Sequence, residues 1–406
     1  MARRGKNLVD VRFLNRALVV DLMRKHNIRS RAELTKYSGL NQATVTNIVN
    51  ELIDCDLVYE TGLIEGKNGR RIIGLELNCE KYRFLSIRLT REYFLVGVYD
   101  IKGNRHLLKK IPIDRNDDVD KTLMNIKTEI RAITRALGDK VLLSAGMAVL
   151  GPFLKEEDMF VATTGFPKLK NIHIKKELQN ELDVPLYVDH DANLAAYAEW
   201  QKFSENGDKG PFLYIMGGQG LGAGIIVDGK IMRGRWGVAG EIGHMSINYA
   251  GRKCECGNKG CLEQYTSGFA MLNMLKEYIG TESDTVLEPD STISDIYAAF
   301  QNNDKLAVKI LDEVAYYLGF GIASLVNVIN PSTIVIGDDF QKGGEHFLGK
   351  VCESIKEHTS PDLFGKLSIR ISTFEEDPAL VGAAILAIDE ILKNESYFEK
   401  LLEAKA

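Results

Sequence analysis

At 406 residues, with 45% hydrophobic and 26% charged residues, the chain has the makeup of a globular protein and the length of roughly two to three domains. The start, "MARRGKNLVDVRFLN", lacks the apolar stretch of a signal peptide, and no window reaches the roughly 18 uninterrupted apolar residues of a membrane span, so a cytoplasmic protein is expected. The net charge of −5 divides unevenly: residues 1–77 hold 13 Lys and Arg against 9 Asp and Glu, the remainder 38 against 47, and a basic head on an acidic body points to nucleic acid at one end.

Three helical patterns open the chain. The first runs from about Phe13 to Lys25 with Leu14, Ala17, Leu18 and Leu22 on one face. The second begins at "SRAEL", where Ser30 and Glu33 have the spacing of a capping box, and closes at Gly39. Asn41 caps the third, "QATVTNIVNELIDCD". Leu34, Gly39, Leu40, Val45 and Ile48 fall where a helix-turn-helix needs its turn and its apolar contacts. Asn41, Gln42, Thr44, Thr46 and Asn47 then supply small polar groups suited to a major groove. Two apolar runs flank "EGKNGRR", a hairpin with a basic tip that offers Lys67, Arg70 and Arg71 to phosphates. Residues 1–78 thus read as a winged helix-turn-helix, a module for operator DNA.

From residue 79 on, strand-like and helical segments alternate, the α/β pattern. "FLSIRLTREYFLVGVYDIKG" (84–103) and "FLYIMGGQGLGAGIIVDGK" (212–230) repeat one plan of two apolar runs about a short loop. Two such hairpins, each opening a lobe, suggest a duplicated actin-like fold of the sugar-kinase and ribonuclease H type, with the second lobe starting near residue 191.

The second hairpin leads into a cluster. His244, Cys254, Cys256 and Cys261 offer one nitrogen and three sulfurs, the donors of a closed, structural Zn²⁺ site, with Gly257 and Gly260 letting the loop fold back. A disulfide or a redox pair is the alternative use of such cysteines. Cys55, Cys79 and Cys352 are too scattered to suggest a disulfide framework.

"GLGAGIIVDGKIMRGRWGVAGEIGH" followed by "CECGNKGCLEQY" resembles the signature of the ROK family (repressors, open reading frames, kinases). So do "GMAVLGP" (146–152), "PLYVDHDANLAAYAEW" (185–200), "IASLVNVINPSTIVIG" (322–337) and "PALVGAAILA" (378–387). The resemblance covers nearly the whole chain, and the head matches the family's repressor branch. It implies that the zinc loop walls a sugar pocket in which His244 also faces the sugar, and that Glu241 and Glu263 bind sugar hydroxyls. It implies that Asp191 stands where the family's kinases keep their general base. His190 replaces the asparagine of the family's N-D-A-N run and is carried over as a pocket residue, with Gly151 and Thr164 on neighbouring loops.

Two departures concern ATP. Where the family's phosphate loop has D-x-G-G-T, this chain reads "SIRLTRE", with Arg88 in place of the aspartate, and its paired glycines read "GDDF", with Asp338 and Asp339. An arginine cannot coordinate Mg²⁺, and carboxylates oppose an anionic nucleotide. The expectation is a non-enzymatic, sugar-sensing repressor acting as a homodimer or homotetramer. A DNA-tethered sugar kinase and a repressor controlled by a protein partner are the alternatives.

Overall fold

A computed structural model describes residues 8–65, 71–114, 118–161, 169, 172–204, 210–280, 284–394 and 397. The head begins with α1 (Leu8–His26), α2 (Arg31–Ser38) and α3 (Gln42–Asp54), followed by an antiparallel pair, β1 (Val58–Glu65) and β2 (Arg71–Leu77). Ser30 caps α2 by accepting from the Glu33 amide, while Glu33 accepts from the Ser30 hydroxyl, so one arm of the expected capping box runs side chain to side chain. Gly39 ends α2 at φ 71°, in the left-handed region that favours glycine, and Asn41 caps α3 through the Thr44 amide at 2.8 Å.

The expected face of α1 needs correction. The helix starts at Leu8, and although Ala17 and Leu22 are buried, Leu14 and Leu18 are exposed. Phe13, Val19, Val20 and Met23 fill the core instead. A helix that is apolar on several faces gives a periodicity count no unique answer, and packing chooses.

A first five-stranded sheet follows. It comprises β3 (Tyr82–Leu89), β4 (Tyr93–Tyr99) and β5 (Arg105–Pro112), then α4 (Val119–Ala136), β6 (Val141–Val149), the two-stranded ribbon β7 (Phe153–Leu154) and β8 (Met159–Phe160), α5 (Ile174–Gln179) and β9 (Leu186–His190). Its order is β5-β4-β3-β6-β9, the ribbon standing apart. After α6 (Asp191–Ser204), a second sheet opens with β10 (Phe212–Gly217), β11 (Leu221–Val227) and β12 (Lys230–Ile231). Helices α7 (Glu263–Thr266), α8 (Gly268–Tyr278), α9 (Ile293–Gln301) and α10 (Lys305–Ile329) lead to β13 (Thr333–Asp338). The chain continues through α11 (Gly344–His358), α12 (Pro361–Phe364), β14 (Ser368–Ile371) and α13 (Pro378–Lys393). The second order, β12-β11-β10-β13-β14, copies the first: third, second, first, fourth, fifth strand. The hairpin echo in the sequence is therefore a duplicated sheet.

Two compact units result, one of Met1–Ala148, Ile174–Val188 and Ala383–Ala406, the other of Val149–His173 and Asp189–Gly382. In the first, the head is not a separate bead. Val20, Leu52 and Leu57 share one apolar cluster with Tyr82, Phe84, Leu143, Ile388 and Leu392. Arg24 of α1 also meets Asp389 of α13 at 2.7 Å, both side chains buried. In the second unit, α10 runs through the core, with Val314, Leu318 and Ile322 inaccessible.

The start of α6 lies directly on β11. A Cβ at Gly224 would sit 2.2 Å from the Ala192 carbonyl oxygen and 2.4 Å from the Ala196 Cβ, so the approach exists only because the residue has no side chain. At Gly222 the same atom would meet Ala192 and His190 at an ordinary 3.6 and 3.7 Å. Gly224→Ala should therefore lower the melting temperature, at a cost of about 2 kcal/mol, while Gly222→Ala leaves it nearly unchanged. Thermal unfolding of the two variants checks this.

Candidate functional site

The junction of β9 and α6 places Asp189, His190 and Asp191 in sequence at one strand end. The His190 Nε2 lies 3.4 Å from Asp191 Oδ1 and 3.9 Å from Glu241 Oε1. Gly151 closes on the same imidazole: a Cβ there would fall 2.2 Å from His190 Nε2 and 3.1 Å from Glu241 Oε1. Glu241 is delivered by Gly240, whose φ of 98° and contact with the Ala223 carbonyl exclude any side chain, just before a 3₁₀ turn (Ile242–His244). Glu263, at the first residue of α7 and buried, accepts from the Leu221 amide at 3.2 Å. Burial, together with the charges of Asp191 and Glu263, pushes the Glu241 carboxyl above the usual range, against the pull of His190 and His244. Of the expected pocket residues, Gly151, His190, Asp191, Glu241, His244 and Glu263 gather here. Thr164 lies outside the described residues.

Lys155, Asp189, Asn193 and Arg233 were not among the site residues expected from the sequence. The Asp189 carboxylate is 3% exposed. It accepts from Arg233 Nε and Nη2 at 2.9 and 2.7 Å, Lys155 Nζ at 3.3 Å, Asn193 Nδ2 at 3.2 Å and the His190 amide at 2.9 Å. Burial alone would raise its pKa, but Lys155, Arg233 and these hydrogen bonds hold it below the usual carboxylate range. The signal available in the sequence was a second acid immediately before His190, inside the run "PLYVDHDANLAAYAEW".

His244, Cys254, Cys256 and Cys261 come together with all their donor atoms within 4.8 Å of one another. Cys256 and Cys261 sulfurs are 3.7 Å apart, and the Cys254 sulfur is 3.8 Å from His244 Nδ1. Such separations suit four donors about one ion with metal–sulfur bonds of about 2.3 Å. The loop is held by short bridges, Ser246 with Cys261 and Lys253 with Lys259. Gly260 (φ 69°) presses on the Asn248 carbonyl where a Cβ could not fit. Burial raises the Cys254 thiol, and burial with the adjoining sulfurs pushes Cys261 up to about 12. Ligation therefore requires a cation strong enough to displace these protons. The group is able to hold a metal ion.

In the head, Asn41, Gln42 and Asn47 are exposed at the start of α3, with Thr44 and Thr46 half-buried beside them. Asn41 already spends its side-chain oxygen on the cap. Arg71 is exposed at the first residue of β2, opposite Glu65. Lys67 and Arg70 lie outside the described residues. Elsewhere, the Asp339 and Asp338 carboxylate oxygens come within 3.3 and 3.4 Å of where a Gly218 Cβ would be, and Arg88 is buried in β3. Among the described residues no helix is long and apolar enough to cross a membrane.

The ROK family model matches residues 84–390. A xylose repressor of Caldicellulosiruptor bescii is 31% identical over 396 residues, covering 95% of this chain and 98% of that protein. The crystal structure of a ROK family transcriptional regulator, a homolog of the Escherichia coli MLC protein, superposes with a TM-score of 0.83 at 30% identity, over 97% of this chain and 100% of its own. A ROK family glucokinase from Streptomyces griseus, solved with glucose and AMPPNP, shares the fold of the body at 24% identity and a TM-score of 0.67, over 75% of this chain and 99% of its own.

Because the folded pKa of Asp189 is depressed, its ionised form contributes stability that is present above the unfolded value near 3.9 and lost as pH falls toward the folded one. Asp189→Asn should accordingly cost about 3 kcal/mol at pH 7. The gap to wild type should narrow below about pH 4. Melting curves across that range check the sign.

Proposed function

The chain belongs to the ROK family, and from that premise we propose that it is a sugar-responsive, DNA-binding repressor whose body reads a sugar and has given up ATP. The observation that carries this reading is the convergence of Gly151, His190, Asp191, Glu241, His244 and Glu263 on one polar site. Carboxylates and an imidazole suit polyols because each carboxylate oxygen accepts more than one hydroxyl hydrogen bond. Thr164 belongs to the same pocket in this proposal. Asp191 is then a vestigial base that holds a sugar hydroxyl.

Arg88 in place of an acid supports loss of nucleotide binding, as do Asp338 and Asp339 crowding the glycine loop at Gly218. The head, residues 1–78, is a winged helix-turn-helix. Asn41, Gln42, Thr44, Thr46 and Asn47 meet the major groove, and Lys67, Arg70 and Arg71 meet phosphates. The body, 79–406, holds the sugar. A dimer or tetramer places two heads on paired half-sites, and the protein works in the cytoplasm. The ion in the Cys₃His group is zinc, which fixes the loop between Glu241 and Glu263 and supplies no chemistry of its own.

Sugar shifts DNA affinity only by binding one conformation better than another. Binding to a DNA fragment from upstream of the chain's own coding region, followed by fluorescence anisotropy, should weaken steeply with salt. One sugar should change the affinity by at least about fivefold. Glu263→Gln should abolish that response and leave DNA binding intact. Unaltered regulation in Glu263→Gln would point to a protein partner instead. Elemental analysis should find about one zinc per chain, and chelation or Cys261→Ser should lower the melting temperature by several degrees.

A further inference from the structure

Two loops bracket His190. One carries Gly151 and continues through β7 to Lys155, in the turn before β8; the other carries Arg233 and continues to Glu241. They also touch each other, since a Cβ at Gly237 (φ 83°) would lie 3.7 Å from the Lys155 nitrogen and 3.9 Å from the Phe153 carbonyl oxygen. Both loops end on one atom. Asp189 Oδ2 accepts Lys155 Nζ and both Arg233 nitrogens, while Oδ1 takes the His190 amide and Asn193.

We infer that Asp189 is a positioning residue for the sugar pocket: its carboxylate ties the Lys155 ribbon and the Arg233 loop to the strand end that presents His190 and Asp191. The inference rests on the pocket reading above. Asp189 does not itself meet the sugar, being 3% exposed with both oxygens engaged. Its effect is electrostatic and geometric. Lys155 and Arg233 share one oxygen, so the two cations are neighbours with the anion between them. Remove the charge and like-charge repulsion parts the loops, and with them Gly151 and Glu241, which set the place of the His190 ring. An asparagine keeps the shape of the side chain but turns an N–H₂ or a neutral oxygen toward two cations.

The test is hydrogen exchange on the full chain without ligand, joined to calorimetric titration with D-xylose, D-glucose and N-acetylglucosamine. In Asp189→Asn, peptides covering 151–160 and 232–241 should exchange at least about tenfold faster, while those of β10 and β13 are unchanged. The affinity for whichever sugar binds wild type should fall at least about tenfold. Arg233→Met should reproduce part of both effects, and Arg233→Lys, which keeps the charge, should recover part of the loss. If Asp189→Asn does not fold, Lys155→Met and Arg233→Met, whose side chains are 40% and 33% exposed, carry the comparison. Unchanged exchange in the two loops overturns the tie. Faster exchange with unaltered sugar affinity overturns the positioning role and leaves Asp189 merely structural. If wild type binds none of the sugars, the pocket reading fails and the positioning role with it, and the exchange data still report whether the tie exists.

Discussion

A charged carboxylate buried to 3% exposure has to be met on both oxygens, and at Asp189 that requirement organises the working end of the second unit. Five donors answer it, from the ribbon, from the loop after β12, from α6 and from the backbone of the next residue. None of these groups comes from the apolar core. The core supplies the platform: α6 can lie against β11 because Gly224 has no side chain, and the helix start then fixes Asp191 and Asn193 relative to the sheet. Electrostatic satisfaction above a closely packed platform is what turns scattered residues into a site.

The same logic shows which parts were legible in the sequence. Local chemistry was. The caps at Ser30 and Asn41, the left-handed glycine at Gly39 and the paired hairpins depend on neighbours a few residues away, and each forms close to its expected place. The Cys₃His group was legible because four strong ligands fall within 18 residues of chain, from His244 to Cys261. Partners distant in sequence were not. Lys155, Asp189 and Arg233 carry no mutual spacing, and a single acid in a strand reads as ordinary until the fold brings two cations to it. The face of α1 was misread for a related reason. Leu14 and Leu18 have the right period, yet packing selects Phe13, Val19, Val20 and Met23.

The head also departs from the picture of a detachable reader. Its apolar residues run on into Tyr82, Phe84 and Ile388, and Arg24 is fixed to Asp389. Arg24 also meets Asp21 at 3.0 Å, so its buried guanidinium ties α1 to α13 through one carboxylate and to its own helix through another. Any displacement of the first unit therefore carries α3 with it. In the repressor proposed above, where a bound sugar alters how α3 meets DNA, that rigidity would remove one flexible joint. The charge split, 13 Lys and Arg against 9 Asp and Glu in residues 1–77 and 38 against 47 in the rest, fits the proposed division between a DNA end and a sugar end.

Whether the body keeps a sugar site and has lost a nucleotide site can be decided by thermal unfolding of the purified chain against a panel of free sugars, each with and without MgATP. A sugar at about 100 times its dissociation constant should add roughly 2.7 kcal/mol and raise the melting temperature visibly. One sugar should do so, MgATP should make no difference, and no sugar phosphate should form. A melting temperature raised by MgATP, with phosphate transferred to the sugar, would contradict the loss of the nucleotide site.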